Sequence, residues 1–222
     1  MKTEIEHRGA IRAIVAGEAL LLHPFKAIYW EAEEALLLAD LHLGKAAHFR
    51  REGLPVPSDV SQANWDRLIS LLLDFQPQRV LFLGDLFHSD YNQEWEEFCR
   101  LMGQFSAVRF ELILGNHDIL PEGHYQQANL EVYREGLELP PFVLTHHPLE
   151  EVPAPFYDLA GHIHPCVHLK GNGRQRARLA CFYFGEHQGV LPAFGAFTGM
   201  GKVRPKAGDQ VFVIAGDEVL EV

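Results

Sequence analysis

Leu36-Leu37-Leu38-Ala39-Asp40-Leu41-His42 is a short apolar run that stops on a carboxylate and an imidazole two residues apart. Runs of this length read as buried strands. The same device recurs four times. Val80-Leu81-Phe82-Leu83 ends in Gly84-Asp85, and Leu112-Ile113-Leu114 ends in Gly115-Asn116-His117-Asp118. Phe142-Val143-Leu144-Thr145 ends in His146-His147, and Asp158-Leu159-Ala160 ends in Gly161-His162-Ile163-His164. In open α/β sheets, ligands bind just beyond the carboxyl ends of the strands. Five strands can therefore deliver carboxylates, imidazoles and one amide to a common edge. That donor set is too rich for one cation and points to a two-metal hydrolase.

The stretches between these blocks supply a frame. Residues 58–76 predict an amphipathic helix: Pro57 precedes it, Ser58 can cap it, and Trp65, Leu68, Leu72 and Phe75 recur at steps of three and four. Residues 92–105 repeat the pattern with Trp95, Phe98, Met102 and Phe105. Both stripes read as faces packed on a sheet rather than as ligand pockets. Residues 11–38 and 176–222 alternate turn signals with short β-like runs, which predicts a second, more antiparallel sheet built from both termini. No linker or repeat interrupts the chain, so residues 1–222 are expected to form a single domain, with residues 44–57 as its main insertion.

Composition narrows the function classes. A chain of 222 residues can bury a full core. Thirty Asp and Glu against nineteen Lys and Arg leave a formal net charge of −11. That balance counts against extensive nucleic-acid binding, which phosphate neutralisation drives, although two divalent cations would offset part of it locally. No stretch approaches the roughly 18 apolar residues of a membrane helix. Met1-Lys2-Thr3-Glu4-Ile5-Glu6-His7-Arg8 lacks the apolar core of a secretory signal. Cys99, Cys166 and Cys181 show no CxxC spacing and fit a reducing cytoplasm.

Each donor suits a role. Asp40 and His42 at i and i+2 of an extended segment point the same way and can reach one cation. Asp85 has two oxygens with which to bridge two cations. Asn116 offers an amide oxygen, and His146, His162 and His164 offer imidazoles. This mixed hard and borderline set suits Mn²⁺, Fe, Zn²⁺ or Co²⁺ far better than Ca²⁺. Two such ions roughly 3.5–4 Å apart activate a shared water for in-line attack on phosphorus. His117 is then the candidate to protonate the leaving oxygen, with Asp118 expected to orient its ring and raise its pKa. Adjacent strand residues face opposite ways, so one of His146 and His147 should ligate; His146 is expected to, with His147 hydrogen-bonding beside it.

The five blocks DxH, GD, GNHD, H and GHxH, in this order between Asp40 and His164, resemble the calcineurin-like binuclear metallophosphoesterases. The resemblance implies an α/β fold, a four-layer α/β/β/α sandwich of two mixed sheets flanked by helices. It implies Asp40, His42, Asp85 and His164 on one metal, Asp85, Asn116, His146 and His162 on the other, and His117 as the catalytic histidine. Many members carry a further Asp soon after the GD block, where this chain offers His88 and Asp90 instead. Leu38-Ala39-Asp40-Leu41-His42-Leu43-Gly44-Lys45, Phe49-Arg50-Arg51-Glu52-Gly53, Gly84-Asp85-Leu86-Phe87-His88-Ser89 and Thr145-His146-His147-Pro148 are similar to the bacterial ligase-associated DNA-damage-response endonucleases. That branch implies Mn²⁺-dependent cleavage of DNA phosphodiesters, chiefly single-stranded or unpaired, and a functional link to a DNA ligase and repair system.

Basic residues near the blocks are candidate phosphate contacts. Lys45, Arg50 and Arg51 leave the first metal strand, and Phe49 could stack on a base beside them. His48 and His88 could line the groove. Lys170, Arg174, Arg176 and Arg178 flank a hairpin turn at residues 171–173, and Lys202, Arg204 and Lys206 form a third group. Both of these groups read as solvated faces. His168 reads as structural, and His7, His23, His124 and His187 as ordinary surface or turn residues. Beside a DNA endonuclease stand two other functions: a phosphatase or small-molecule phosphodiesterase with the same centre, and a non-catalytic protein-binding scaffold. The intact donor set and His117 count against the scaffold.

Overall fold

A computed structural model describes residues 9–45, 49, 59–88, 91, 93–171, 176–196 and 198–222. The first sheet runs in the order β1 (Ile11–Val15), β2 (Glu18–His23), β3 (Ala27–Trp30), β4 (Ala35–Leu38), β5 (Arg79–Leu83), β6 (Arg109–Ile113), β7 (Leu130–Tyr133). Its first four strands form an antiparallel meander, and β4 to β7 are parallel. Helices α1 (Asp59–Phe75) and α2 (Gln93–Gln104) make the crossovers between parallel strands, and the short α3 (Glu122–Gln127) precedes β7.

The second sheet follows in sequence. It comprises β8 (Leu137–Leu139), β9 (Phe142–Thr145), β10 (Tyr157–Ala160), β11 (Pro165–Lys170), β12 (Arg176–Phe184), β13 (Gln188–Val190) and β14 (Gly201–Lys202). Their spatial order is β14-β11-β12-β13-β10-β9-β8, with β15 (Gln210–Ala215) paired to β12 and β16 (Glu218–Glu221) paired to β15. The α/β class with two packed mixed sheets is as expected. One detail is corrected: β1 to β3 join the first sheet rather than sharing the second with the C-terminal strands. Their connections are tight, and short hairpin loops make consecutive strands antiparallel neighbours, so the meander grows from the free edge of β4. The N- and C-terminal segments meet where the Val219 amide donates to the Gly9 carbonyl at 2.8 Å.

Period-two alternation divides each central strand between two cores. Leu36, Leu38, Val80, Phe82, Phe110 and Leu112 face Trp65, Leu68, Leu72, Phe75, Trp95, Phe98 and Met102 of the helices. Leu37, Leu81, Leu83 and Ile113 face Phe142, Leu144, Leu159, Phe182 and Phe212 of the second sheet. Among the described residues, the helices pack on the outer face of the first sheet; a small cluster of Val167, Cys181, Val211 and Val213 lies on the outer face of the second. Ser58, the expected helix cap, lies outside the described residues. At the amino end of β5, buried Arg79 grips Glu111 of β6 through two hydrogen bonds of 2.7 and 2.6 Å. This bidentate pair pins the register of the strands whose opposite ends carry Asp85 and Asn116.

Candidate metal centre

Just past the strand ends, the β4 and β5 loops run side by side. The amides of Asp40, His42 and Leu43 donate to the carbonyls of Gly84, Asp85 and Leu86 at 3.1, 2.9 and 2.9 Å. The Gly44 amide donates to Glu94 Oε2 at 2.8 Å, tying this segment to α2. The chain then takes a costly shape. Asp40, His42, Asp85, His162 and His164 all have positive φ, between +50° and +64°. For residues with a Cβ, that conformation costs about 1–3 kcal/mol each and concentrates at functional sites. Nothing in the sequence marked these five positions as left-handed, since none is glycine.

Asp85 turns one oxygen to each side. Its Oδ2 lies 3.8 Å from His42 Nε2, and its Oδ1 lies 3.5 Å from His146 Nε2. His164 Nε2 is 3.1 Å from Asp40 Oδ1, while Asp40 Oδ2 accepts the His162 amide at 2.9 Å. His146 Nε2 also lies 3.2 Å from Asn116 Oδ1 and 3.2 Å from His162 Nδ1. All seven residues expected as ligands are thus brought to one edge. Their donor atoms fall into compact groups, Asp40 with His42 and His164, Asp40 with Asp85 and His146, and His146 with His147 and His162, each spanning no more than 4.8 Å.

The imidazoles are held from behind. His146 Nδ1 sits 3.0 Å from the Leu83 carbonyl, and His164 Nδ1 sits 2.9 Å from the Gly199 carbonyl. A carbonyl only accepts, so both rings carry their proton on Nδ1 and turn the Nε2 lone pair inward. His42 Nδ1 is 3.2 Å from His88 Nδ1. Burial, reinforced by the nearby Lys45 ammonium, lowers the His42 pKa to about 2, so its ring is neutral. Asp40 Oδ1, His42 Nε2 and His164 Nε2 are buried and make no hydrogen bond. Buried polar atoms left this way are costly, and a shared cation is a partner that two imidazole nitrogens and a carboxylate oxygen can have in common. The donor set fits divalent cations.

Other expected residues fall as follows. The His117 amide donates to Asp85 Oδ1 at 2.9 Å, and its half-buried ring lies 4.1 Å from that of His88 and 5.5 Å from that of His42. Asp118 does not orient that ring. Its two oxygens accept the amides of Phe87 at 2.9 Å and Gly115 at 2.8 Å, so it staples the GD loop to the GNHD loop. Burial pushes its pKa up to about 7 against the pull of those amides. His147 is exposed but does not turn away from the site: its ring centroid is 4.0 Å from that of His162. Strand alternation ends with β9 at Thr145, so it no longer separates residues 146 and 147. Lys45 is half-buried near Asp85 and Asp40, with its ammonium 6.0 Å from the Phe49 ring. Arg50, Arg51, His48 and Asp90 lie outside the described residues.

Glycines give the donors room. A Cβ on Gly161 would stand 2.8 Å from Asp40 Oδ2, 2.8 Å from the Leu83 carbonyl and 3.0 Å from Ala39 Cβ. One on Gly84 or Gly115 would collide with the His146 ring or the Asp85 carboxylate. The glycines of the GD, GNHD and GHxH blocks are therefore spacers. Their recurrence before Asp85, Asn116 and His162 was the signal available in the sequence.

The family model for calcineurin-like phosphoesterases matches residues 35–180, which begin at β4 and include every donor described above. The chain is a calcineurin-like phosphoesterase. Members of this family are hydrolases of phosphate esters built around a binuclear metal centre, consistent with the grouped donors here. Among solved structures, Pseudomonas putida nuclease MPE is 29% identical, with a TM-score of 0.79 over 96% of this chain and 100% of that one. Yfce, a phosphoesterase from E. coli, is 15% identical, with a TM-score of 0.46 over 85% of this chain and 97% of that one. A comparison with curated proteins gave no match. Among the described residues, no helix is long and apolar enough to cross a membrane.

Proposed function

We propose that this phosphoesterase is a Mn²⁺-dependent endonuclease that cuts DNA phosphodiesters, with a preference for single-stranded or unpaired DNA. One observation carries the metal chemistry: the Nε2 atoms of His42 and His164 lie together with Asp40 Oδ1, all buried and without hydrogen bonds. The nucleic-acid substrate is supported by the likeness to a nuclease over essentially the whole of both chains, and by the block details shared with the ligase-associated repair endonucleases. The one domain proposed for residues 1–222 is supported by the apolar layer common to both sheets. Three free thiols, two of them buried, support a cytoplasmic setting.

In this reading Asp40, His42, Asp85 and His164 hold one cation, and Asp85, Asn116, His146 and His162 hold the other. Bound there, two divalent ions lower the pKa of water and neutralise phosphoryl oxygens as charge builds. Asp85 sets the spacing through its two oxygens, one toward His42 and one toward His146. Its Oδ1 also fixes the His117 amide, which holds that imidazole beside the centre to protonate the departing oxygen. The His88 ring lies against His117 and His42 and limits the positions either can take. His147 stands at the exposed rim next to His162, where it can hydrogen-bond a phosphate oxygen. Lys45, Arg50 and Arg51 are proposed to hold phosphates beside the scissile one.

The test uses metal-free protein restored with Mn²⁺ and offered circular single-stranded DNA, linear duplex and a phosphomonoester. Cutting of the circle is expected, and only an endonuclease can cut it. Hydrolysis of the monoester with an intact circle would assign the centre to small phosphate esters instead.

A further inference from the structure

Charge is unevenly distributed along this acidic chain. Residues 159–208 contain seven Lys or Arg and a single acid, Glu186, within a protein of net charge −11. Elsewhere four of the described arginines pair with carboxylates, Arg12 with Glu31, Arg79 and Arg109 with Glu111, and Arg134 with Glu122, while Arg67 lies over the Phe25 ring and Arg100 donates to the Glu96 carbonyl. Arg176, Arg178 and Lys202 are exposed, and among the described residues none has a carboxylate partner.

Topology sets these cations beside the metal centre. β13 is parallel to β10, β12 is antiparallel to β13, and β11 is antiparallel to β12. β11 therefore leaves the His162–His164 loop in the direction in which β10 entered it, and the β11–β12 hairpin projects beyond the edge where the donors gather. Arg176 and Arg178 alternate with Ala177 and Leu179 and share their face with Phe182, which packs toward the first sheet. Arg178 stands opposite His168, Arg176 opposite Lys170, and Lys202 beside Cys166 on the same sheet.

The link to the centre is direct. Arg178 donates to the Met200 carbonyl and, at 3.3 Å, to Cys166 Sγ. The neighbouring Gly199 carbonyl is the one that holds His164 Nδ1. Ile163, between the two proposed ligands, and Met200 are 38% and 36% exposed, an apolar patch between centre and cations.

We propose that one strand of the DNA substrate leaves the metal centre across this hairpin face, its phosphates held by Arg176, Arg178 and Lys202 and a base resting on Ile163 and Met200. The proposal rests on the reading of the centre as a DNA phosphodiesterase. It also answers the objection from net charge. Repulsion from the acidic body favours an exit along this segment, whose one carboxylate is Glu186.

Arg176→Ala with Lys202→Ala tests it, because neither side chain makes a hydrogen bond or ion pair among the described residues. Each lost phosphate contact on a single strand lowers the salt slope by about 0.7, which at 0.1 M salt is roughly 5-fold in affinity per contact. In the Mn²⁺-loaded protein, KM for circular single-stranded DNA is expected to rise roughly 25-fold and the salt slope to flatten by about 1.4. Turnover of bis(p-nitrophenyl) phosphate, too small to reach the hairpin, reports on the integrity of the centre in the same samples and is expected to change less than about 2-fold. An unchanged KM and salt slope for DNA would overturn the path, and so would parallel losses on both substrates. Wild-type protein that hydrolyses the small diester but leaves the circle intact would instead overturn the DNA reading itself.

Discussion

Gly161→Ala adds one methyl group and removes no donor atom, which makes it a sharp probe of the centre. The new Cβ would meet Asp40 Oδ2 and the Leu83 carbonyl at 2.8 Å and Ala39 Cβ at 3.0 Å. Backbone blocks one side and a strand-end side chain another, so the methyl group cannot swing clear. Relief requires the loop carrying His162 and His164 to part from Asp40 by about half an ångström. A misplacement of about 1 Å can cost on the order of 100-fold in rate, so a loss of roughly 10-fold in kcat is expected. Overpacking costs about 1–3 kcal/mol, which for a domain of this size lowers Tm by roughly 2–12 °C. The assay is hydrolysis of bis(p-nitrophenyl) phosphate at saturating Mn²⁺ with a thermal melt of the same sample. Gly103→Ala is the control. That glycine lies on the exposed side of α2 with nothing within 4 Å of its would-be Cβ, so the substitution should leave kcat alone and stabilise by about 0.5–1 kcal/mol. A Gly161→Ala enzyme with wild-type kcat would refute the reasoning that Asp40 and the His162–His164 loop must close to this distance.

Further outcomes follow from the same geometry. Asp85→Ala removes the residue that faces both His42 and His146, and it should abolish metal-dependent hydrolysis of every substrate; retained turnover would end the bridging assignment. His117→Ala should slow esters with poor leaving groups far more than a nitrophenyl ester, and equal losses would count against proton donation. Arg50→Ala with Arg51→Ala should weaken DNA cleavage while sparing a small activated diester; a shared loss would mean that the loop supports the metals. Lys26 is distant from this chemistry and tests the electrostatics of burial, which lowers its pKa from 10.5 to about 8. Below about 8 both folded and unfolded states hold the proton; between there and 10.5 the unfolded chain alone does, so stability should rise with pH by at most about 3 kcal/mol. In Lys26→Met that rise should be absent, as read from denaturant midpoints across the window.

Much of the frame could be read from local pattern. Apolar runs ending in donors located β4, β5, β6, β9 and β10, and the aromatic stripes located α1 and α2, because both signals arise from residues close in sequence. Sheet membership was not local. Alternation in residues 11–30 showed strands but not their partner, and it was the free edge of β4 that captured them. Asp118 was misread for a similar reason. Beside His117 in sequence, it turns to amides at Phe87 and Gly115, a choice set by how two loops stack. The left-handed turns at Asp40, His42, Asp85, His162 and His164 had no residue signature of their own, although a glycine precedes two of them, Asp85 and His162. Arg176 and Arg178 on the β11–β12 hairpin, without a carboxylate partner among the described residues, resembled any solvated face until strand directions placed them beyond the donor edge.

Counting bound metal per chain tests the two-cation reading most directly. Metal-free wild type and Asp85→Ala would be dialysed to equilibrium against Mn²⁺ and the bound ions measured. Two ions per wild-type chain are expected, with one or none retained by the variant. A wild-type chain that saturates at a single ion, or a variant that still holds two, would contradict the assignment of Asp85 as the bridge of a binuclear centre.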